Sequence, residues 1–338
     1  MARIRVVIVN YKTAVLTIAC LRSLLPEVRA DAQIEVVVVE NASGDGEAIA
    51  RAIREHGWES WASLIVAERN GGFSYGNNRG IEGALQRALP PDYFLLLNPD
   101  TEVRPGAIQA LVSYMDMHKN IGIAGSSYEN EDGSEWPIAF RFHTAWSQFE
   151  QAIRLGLVSK LLNRRLVART MGNESAQTDW VAGASMMVRR EVIESIGLMD
   201  EGYFLYFEEV DFCLRALRAG WSCWYVPQSR IMHISGQSTG VSGKDRKLKR
   251  MPTYWFASRS CYFVKNHGLS YAWFADIAYG LGLMLSSVHR LISKQVDSNP
   301  PGMFTDFCKT SILFCRRAEV LRRIDGQRVI SQMSRPTL

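Results

Sequence analysis

The stretch Phe94-Leu95-Leu96-Leu97-Asn98-Pro99-Asp100 narrows the folds open to this chain more than any other. A short unbroken apolar run reads as a strand buried on both faces, as in a parallel sheet, and Pro99 cannot continue its hydrogen-bond ladder. Asp100 therefore falls just past the carboxyl end of a strand. Open α/β sheets bind their ligands at that edge, and a carboxylate there can hold a divalent cation against a diphosphate. Asn, Pro and Asp are also ordinary turn residues, so Asp100 reads equally well as a cap before the helix expected from Pro105 to Met117.

Upstream the same grammar repeats. Arg5–Val9 is a buried strand followed by the polar Asn10-Tyr11-Lys12-Thr13 and a periodic helix from Val15 to Leu25. Ile34–Val39 is a second strand, ending in Glu40-Asn41-Ala42-Ser43; Leu64–Ala67 is a third and Asp92–Leu97 the fourth. Strands that end in polar loops with helices between them predict βαβ units. A fifth strand is expected at Ile121–Gly125, with a turn at Glu129–Gly133. Residues 136–174 are irregular, aromatic and basic, and read as one or two helices on an excursion from the sheet.

The glycine-rich stretch from Arg69 to Gly80 does not give GxGxxG after the first strand, and no GxxxxGK[ST] is present. A Rossmann dehydrogenase and a P-loop enzyme are disfavoured. The stretch reads as a close-approach loop at a helix start, with Asn77 and Asn78 able to bond a sugar or phosphate, or as a plain helix cap. Small residues at Ala182, Gly183 and Ala184 mark a place where substrate can come close.

Glu208, Glu209 and Asp211 put three carboxylates into four positions. Their repulsion calls for a cation or a shared proton, unless they serve only the dipole of a helix that begins there. Helical spacing puts Glu208 and Asp211 on one face. His233, flanked by Met232 and Ile234, reads on its own as a core histidine more readily than as a ligand.

With 338 residues, 47% hydrophobic and 22% charged, the chain has material for a sizeable core, and disorder is excluded as its default state. Six scattered cysteines without CxxC spacing suggest neither zinc nor a disulfide framework, and so a reducing compartment. The apolar run after the N-terminus is too short for a signal peptide. Basic residues gather late, in Lys244–Arg250 and at Arg316-Arg317, which favours a membrane surface over nucleic acid as neighbour, beside the plain reading of a solvated face. Tyr271–Val288 approaches the length of a membrane span, but Asp276 and internal small residues argue instead for an interfacial helix pair or a core helix, with Arg290 and Lys294 following.

Taken together, Ile8-Val9-Asn10-Tyr11, Val39-Glu40-Asn41-Ala42-Ser43, Asn70-Gly71-Gly72-Phe73, Gly76-Asn77-Asn78-Arg79-Gly80, Leu97-Asn98-Pro99-Asp100, Trp180–Ala184, Phe207–Asp211 and His233 resemble the motifs of the inverting GT-A glycosyltransferases of family 2, the bacterial rhamnosyltransferase-like members in particular. The resemblance runs in family order over roughly residues 3–265. It implies an α/β fold of GT-A type, a Rossmann-like mostly parallel sheet flanked by helices, with a helical C-terminal extension. The catalytic domain would occupy residues 1–252, a nucleotide-binding half to about 125 and an acceptor half from 126, and residues 253–338 would form the helical region.

By the same resemblance Val9, Asn10 and Tyr11 line the nucleoside pocket. Glu40 stands where the family usually has an aspartate that reads the pyrimidine, beside Asn41. Asn70, Gly72, Phe73 and Asn77 approach the ribose and donor, and Asn98-Pro99-Asp100 replaces the DxD motif. Asp100 and His233 would hold Mg²⁺ or Mn²⁺. Trp180, Gly183 and Ala184 would meet the acceptor. Glu209 is the expected base, with Glu208 or Asp211 orienting substrate or supporting it. The implied reaction moves a sugar, L-rhamnose from dTDP-L-rhamnose in the first instance, from a dTDP- or UDP-linked donor to a glycan or lipid-linked oligosaccharide. The implied location is cytoplasmic, peripheral at the inner face of the plasma membrane, with no nucleic acid partner. Two other readings are a sugar-nucleotide or glycan-binding protein without turnover, and a nucleotidyltransferase, whose basic glycine-rich loop after the first strand is missing here.

Overall fold

The computed structural model describes residues 2–31, 33–234, 249–293 and 299–314. The elements run β1 (Ile4–Asn10), α1 (Ala14–Ser23), α2 (Leu25–Ala30), β2 (Ile34–Glu40), α3 (Gly46–Glu55), β3 (Ala62–Val66), α4 (Gly72–Leu85), β4 (Tyr93–Leu97), β5 (Thr101–Val103), α5 (Ala107–Met117) and β6 (Ile121–Glu129). They continue with β7 (Glu135–Trp136), β8 (Ile138–Phe140), α6 (Ala145–Ile153), α7 (Gly156–Leu161), β9 (Ala168–Thr170), β10 (Ala176–Thr178), β11 (Ser185–Arg189), α8 (Arg190–Ile196), α9 (Glu208–Arg218) and β12 (Ser222–His233). The described chain closes with α10 (Thr253–His267), α11 (Leu269–Ser293) and α12 (Met303–Thr310).

One sheet organises the molecule, in the order β10-β12-β6-β11-β4-β1-β2-β3. β3, β2, β1 and β4 pair in parallel, as do β6 and β12. β11 lies antiparallel between β4 and β6, and β10, β5 and β7 pair antiparallel at the other end, so a parallel core is interrupted by one reversed strand near the middle and bordered by short reversed ones. Alternate residues of β1 serve two cores: Ile4, Val6 and Ile8 pack with Leu21, Ile49 and Leu111 of one helical layer, and Val7 with Ile81, Val192 and Phe212 of the other. This is the period-two partition expected of a strand covered on both faces.

The glycine-rich stretch is not a loop leading to a helix; α4 already begins at Gly72. A Cβ on Gly76 would come within 2.5 Å of Val9, and one on Gly80 within 2.4 Å of Val7. The two glycines, one turn apart, let α4 lie directly on β1, and that burial outweighs a helix cost of about 1 kcal/mol per glycine. β6 also runs four residues beyond the expected Gly125, because its partner β12 continues past a register shift between Val226 and Arg230.

The C-terminal helices share cores with the rest of the chain. Val210 and Leu214 of α9 pack with Tyr262 and Phe263 of α10 and Ala272 of α11, and Ala152 of α6 packs with Tyr279 and Leu283. Asp276 sits inside this layer, paired with Arg259 and accepting from the Ser311 hydroxyl and the Ile312 N–H. Among the described residues nothing covers the opposite face of α11: Phe274, Ile277, Leu281, Met284, Val288 and Leu291, spaced alternately by three and four, are 45–81% exposed. No helix among the described residues is long and apolar enough to cross a membrane. Lys249 and Arg250 are described, whereas Lys244–Leu248, Lys294 and Arg316-Arg317 lie outside the described residues. No disulfide joins the five described cysteines.

Candidate active site

β4 ends at Leu97, and the chain turns through Asn98, whose N–H donates to the Ala184 carbonyl at 3.2 Å, into the short strand β5. β5 pairs antiparallel with the end of β12, Thr101 opposite His233, and the Ile234 N–H donates to the Asp100 carbonyl at 3.0 Å. That ladder carries a histidine 133 positions away in sequence to within 3.4 Å of Asp100, Nε2 to Oδ1. A tertiary pairing thus supplies the context that a lone histidine lacked.

On the other wall, α9 starts at Glu208 with three acids in its first turn, where the helix dipole favours them. Glu208 is buried, and its Oε2 has no hydrogen-bond partner. Burial first, and then the charge of Glu209, push its pKa well above the usual glutamate range. Glu209 is partly open to the cleft, and its Oε1 accepts from the Gly183 N–H at 3.2 Å. Burial raises its pKa as well. A side chain at 183 has no room: a Cβ there would sit 2.6 Å from the Phe73 ring and 3.2 Å from Glu209 Oε1.

Asp211 requires a correction. It does not share the cleft with Glu208 and Glu209, but is bonded to Lys265, Arg215, Asn266 and Tyr203 on the side facing α10. Burial alone would raise its pKa; the charges on Lys265 and Arg215 prevail and hold it below the aspartate range. The charge of Asp211 is thus met by Lys265 and Arg215, whereas the crowding of Glu208 and Glu209 shows as raised pKa values, and Asp211 has no free face to offer a substrate.

The cleft has a volume of about 490 Å³. Val9 near the end of β1 and Tyr11 just past it line the cleft, with Asn41 after β2 and Asn70, Gly72 and Phe73 at the start of α4. Asn98, Asp100 and His233 line the end of β4 and β12, and Glu208 and Glu209 the start of α9. Asn41 donates to Asn70 Oδ1 at 3.1 Å and to the Gly72 carbonyl at 3.0 Å, which ties the loops after β2 and β3 together and leaves its own Oδ1 unpartnered.

Other expected contacts lie behind this lining. Asn10 is consumed by Asp45, Thr13 and Thr17, and Glu40 by the N–H and hydroxyl of Ser43. Asn77 points its amide back to the Phe73 carbonyl within α4, and Asn78 bonds Met199 and Glu201. Trp180 stacks on Phe140 with centroids 4.2 Å apart and donates to the Arg141 carbonyl, and Ala184 is buried in the core. Conversely Phe204, Leu205, Tyr206 and Tyr254 line the cleft without having been singled out. The aromatic run Tyr203–Phe207 beside the acids is the visible signal for the first three; Tyr254 lies outside it.

No group of three His, Cys, Asp or Glu side chains among the described residues converges as a metal cage. One carboxylate and one imidazole 3.4 Å apart nonetheless suit a Mg²⁺- or Mn²⁺-sized ion, which takes few protein ligands and fills the rest of its shell with phosphate oxygens and water.

A mainly parallel sheet with a reversed strand, and a cleft at its carboxyl edge with a potential cation site at one end and paired glutamates along a wall, define a GT-A type transferase. The chain belongs to glycosyltransferase like family 2, whose profile matches residues 2–250. It is 28% identical over 221 residues to the N-acetylglucosaminyl-diphospho-decaprenol L-rhamnosyltransferase of Mycobacterium tuberculosis, a match covering 61% of this chain and 68% of that one. It is 25% identical over 208 residues to the dTDP-rhamnosyl transferase RfbF of Shigella flexneri, covering 60% and 64%. Among solved structures it is similar in fold to GalNAc-T7, crystallised with UDP, GalNAc and Mn²⁺, with a TM-score of 0.55 and 16% identity over 99% of this chain and 58% of that one. The matches thus span less than two thirds of both RfbF and GalNAc-T7.

Proposed function

We propose that this glycosyltransferase moves L-rhamnose from dTDP-L-rhamnose to a hydroxyl of a lipid-linked glycan, with inversion at C1 and dependence on Mg²⁺ or Mn²⁺. The observation that carries the reading is that Asp100 and Glu209, from strand ends and a helix start far apart in sequence, line one cleft. The activities for which the M. tuberculosis and S. flexneri relatives are named suggest the sugar and the diphospho-lipid class of acceptor.

In this reading Val9, Tyr11 and Asn41 receive the nucleoside, and Asn70, Gly72 and Phe73 hold the donor beside them. Asp100 and His233 are the protein ligands of the cation, which when bound supplies positive charge against the departing nucleoside diphosphate. Glu209 accepts the proton of the acceptor hydroxyl as its oxygen bonds to C1 and the bond from C1 to the diphosphate breaks. Its raised pKa makes it a stronger base than a solvated glutamate, and the Gly183 N–H fixes one oxygen so that the other can face the acceptor. Glu208 lies buried beside Glu209, its pKa raised by burial and by that neighbour's charge.

We assign catalysis to residues 1–252 and a supporting role to the helices beyond. The bare face of α11, with basic residues near it in sequence, suits an anionic bilayer at the inner face of the plasma membrane.

The test is kinetic. Asp100→Ala should abolish the Mn²⁺-dependent part of dTDP binding measured by calorimetry. Glu209→Gln should keep that binding and lose about 10²- to 10⁴-fold in transfer. Unimpaired transfer in Glu209→Gln would move the base to another group, and activity that survives EDTA would remove the metal from the scheme.

A further inference from the structure

One wall of the cleft has no part in the chemistry just described. Phe204 and Tyr206 come from the segment ahead of α9, and Tyr254 from α10. The Phe204 and Tyr254 rings have centroids 5.2 Å apart, and Tyr206 lies 6.1 Å from Tyr254 with ring planes 21° apart. Phe204 is exposed, and the two tyrosines are half-buried.

The backbone that presents them is strained. Tyr206 and Phe207 have φ of 70° and 68°, a left-handed region that bulky residues rarely enter. Such strain persists only where the surroundings over-determine it, and it gathers at ligand sites. Here the segment is clamped on both sides: the Phe204 carbonyl accepts the Phe73 N–H at 2.9 Å, and the Leu205 carbonyl accepts the Ser258 hydroxyl of α10 at 3.0 Å. Phe207 is buried in the core; Tyr206 is half-buried, packs against the same core and also lines the cleft.

A flat aromatic face carries a negative quadrupole, which attracts the polarised C–H groups on the face of a pyranose ring. The nucleotide has its own wall in Val9, Tyr11 and Asn41. The aromatic wall instead leads straight into Glu208 and Glu209, so a sugar resting on it lies beside the acid that takes its proton. We propose that Phe204, Tyr206 and Tyr254 form the subsite for the acceptor's sugar ring, with Tyr254 contributed from beyond the residues the family profile covers. This rests on the transfer reading above, and it gives the helical segment a direct part in acceptor recognition.

The test uses the full chain saturated with dTDP and Mn²⁺, and decyl-diphospho-N-acetylglucosamine as probe. Tyr254→Ala should raise the Kd for the probe roughly threefold to tenfold, while the Kd for dTDP stays unchanged. Tyr254→Phe, which keeps the ring, should behave as wild type. Phe204→Ala repeats the measurement at an exposed position should Tyr254→Ala fold poorly. A parallel loss of dTDP affinity would give the wall to the nucleotide and overturn the inference, as would unchanged probe affinity in both alanine variants. A wild-type protein that binds dTDP but not the probe would overturn it too, leaving the donor half of the transfer reading standing; one that binds neither would sink both.

Discussion

Glu208 and Glu209 share a first helical turn, yet their surroundings divide the work between them. Both are raised by burial, and Glu208 further by its neighbour's charge. Activity that depends on ionised Glu209 should therefore climb through a limb above the ordinary glutamate value of 4.5 in a profile of kcat/KM against pH. A limb at or below that value would contradict the role. The same shift bears on stability. A carboxyl whose folded pKa exceeds its unfolded one binds its proton more tightly in the fold, so its contribution is intact below pH 4.5 and is lost as pH rises through the folded value. Glu208→Gln, a neutral isostere, should remove that loss: its melting temperature relative to wild type should improve between pH 5 and pH 8. Asp211 works in the opposite sense, stabilising above the aspartate range and less as pH falls through its lowered pKa. The triplet was legible in the sequence as a cluster under strain. Its division was not, because Lys265 and Asn266 reach Asp211 from a helix more than fifty residues away.

Two glycines of α4 separate a helix's own preference from what the fold demands of it. Gly72 has φ +85°, and a Cβ there would meet the Phe204 carbonyl oxygen at 1.8 Å; a Cβ on Gly83 would meet nothing. Gly72→Ala should destabilise the protein by more than about 1–3 kcal/mol, the range set by backbone strain alone. Gly83→Ala should stabilise it by roughly 0.5–1 kcal/mol. Urea unfolding of the pair checks both, and equal effects would show that the contact between Gly72 and Phe204 is not structural. From sequence Gly71, Gly72, Gly76 and Gly80 read as a close-approach loop at a helix start rather than as the helix itself. The close approach of α4 to Val7 and Val9 reverses that reading, and it lies in the partner strand. The short strand β5 is a similar case: three residues with no marked signal, whose pairing with β12 brings His233 to Asp100.

At the scale of the molecule, the C-terminal helices bury one face against α6 and α9 and, among the described residues, leave an apolar stripe on α11 uncovered. If that stripe rests on lipid, the wild-type chain should co-sediment with vesicles containing phosphatidylglycerol more than with phosphatidylcholine alone. Leu281→Asp combined with Leu285→Asp should lose this binding and keep the far-ultraviolet spectrum. Retained binding in the double variant would place the contact elsewhere, and a concentration-dependent dimer lost with the same substitutions would give the stripe to a second copy. The sequence alone determined the parallel core strands, the carboxyl edge where Asp100 falls and the family, because short apolar runs, turn residues and their order are properties of contiguous residues. Only the tertiary structure decided which side chains face the cleft. Asn10 and Glu40 are spent on neighbours, the Asn77 amide nitrogen is turned back to the Phe73 carbonyl, Asp211 is held on the far side by Arg215 and Lys265, and Phe204, Tyr206 and Tyr254 line the cleft. The physical reason is that a polar side chain's partner, and the direction in which a ring points, are set by groups that come near only once the chain has folded.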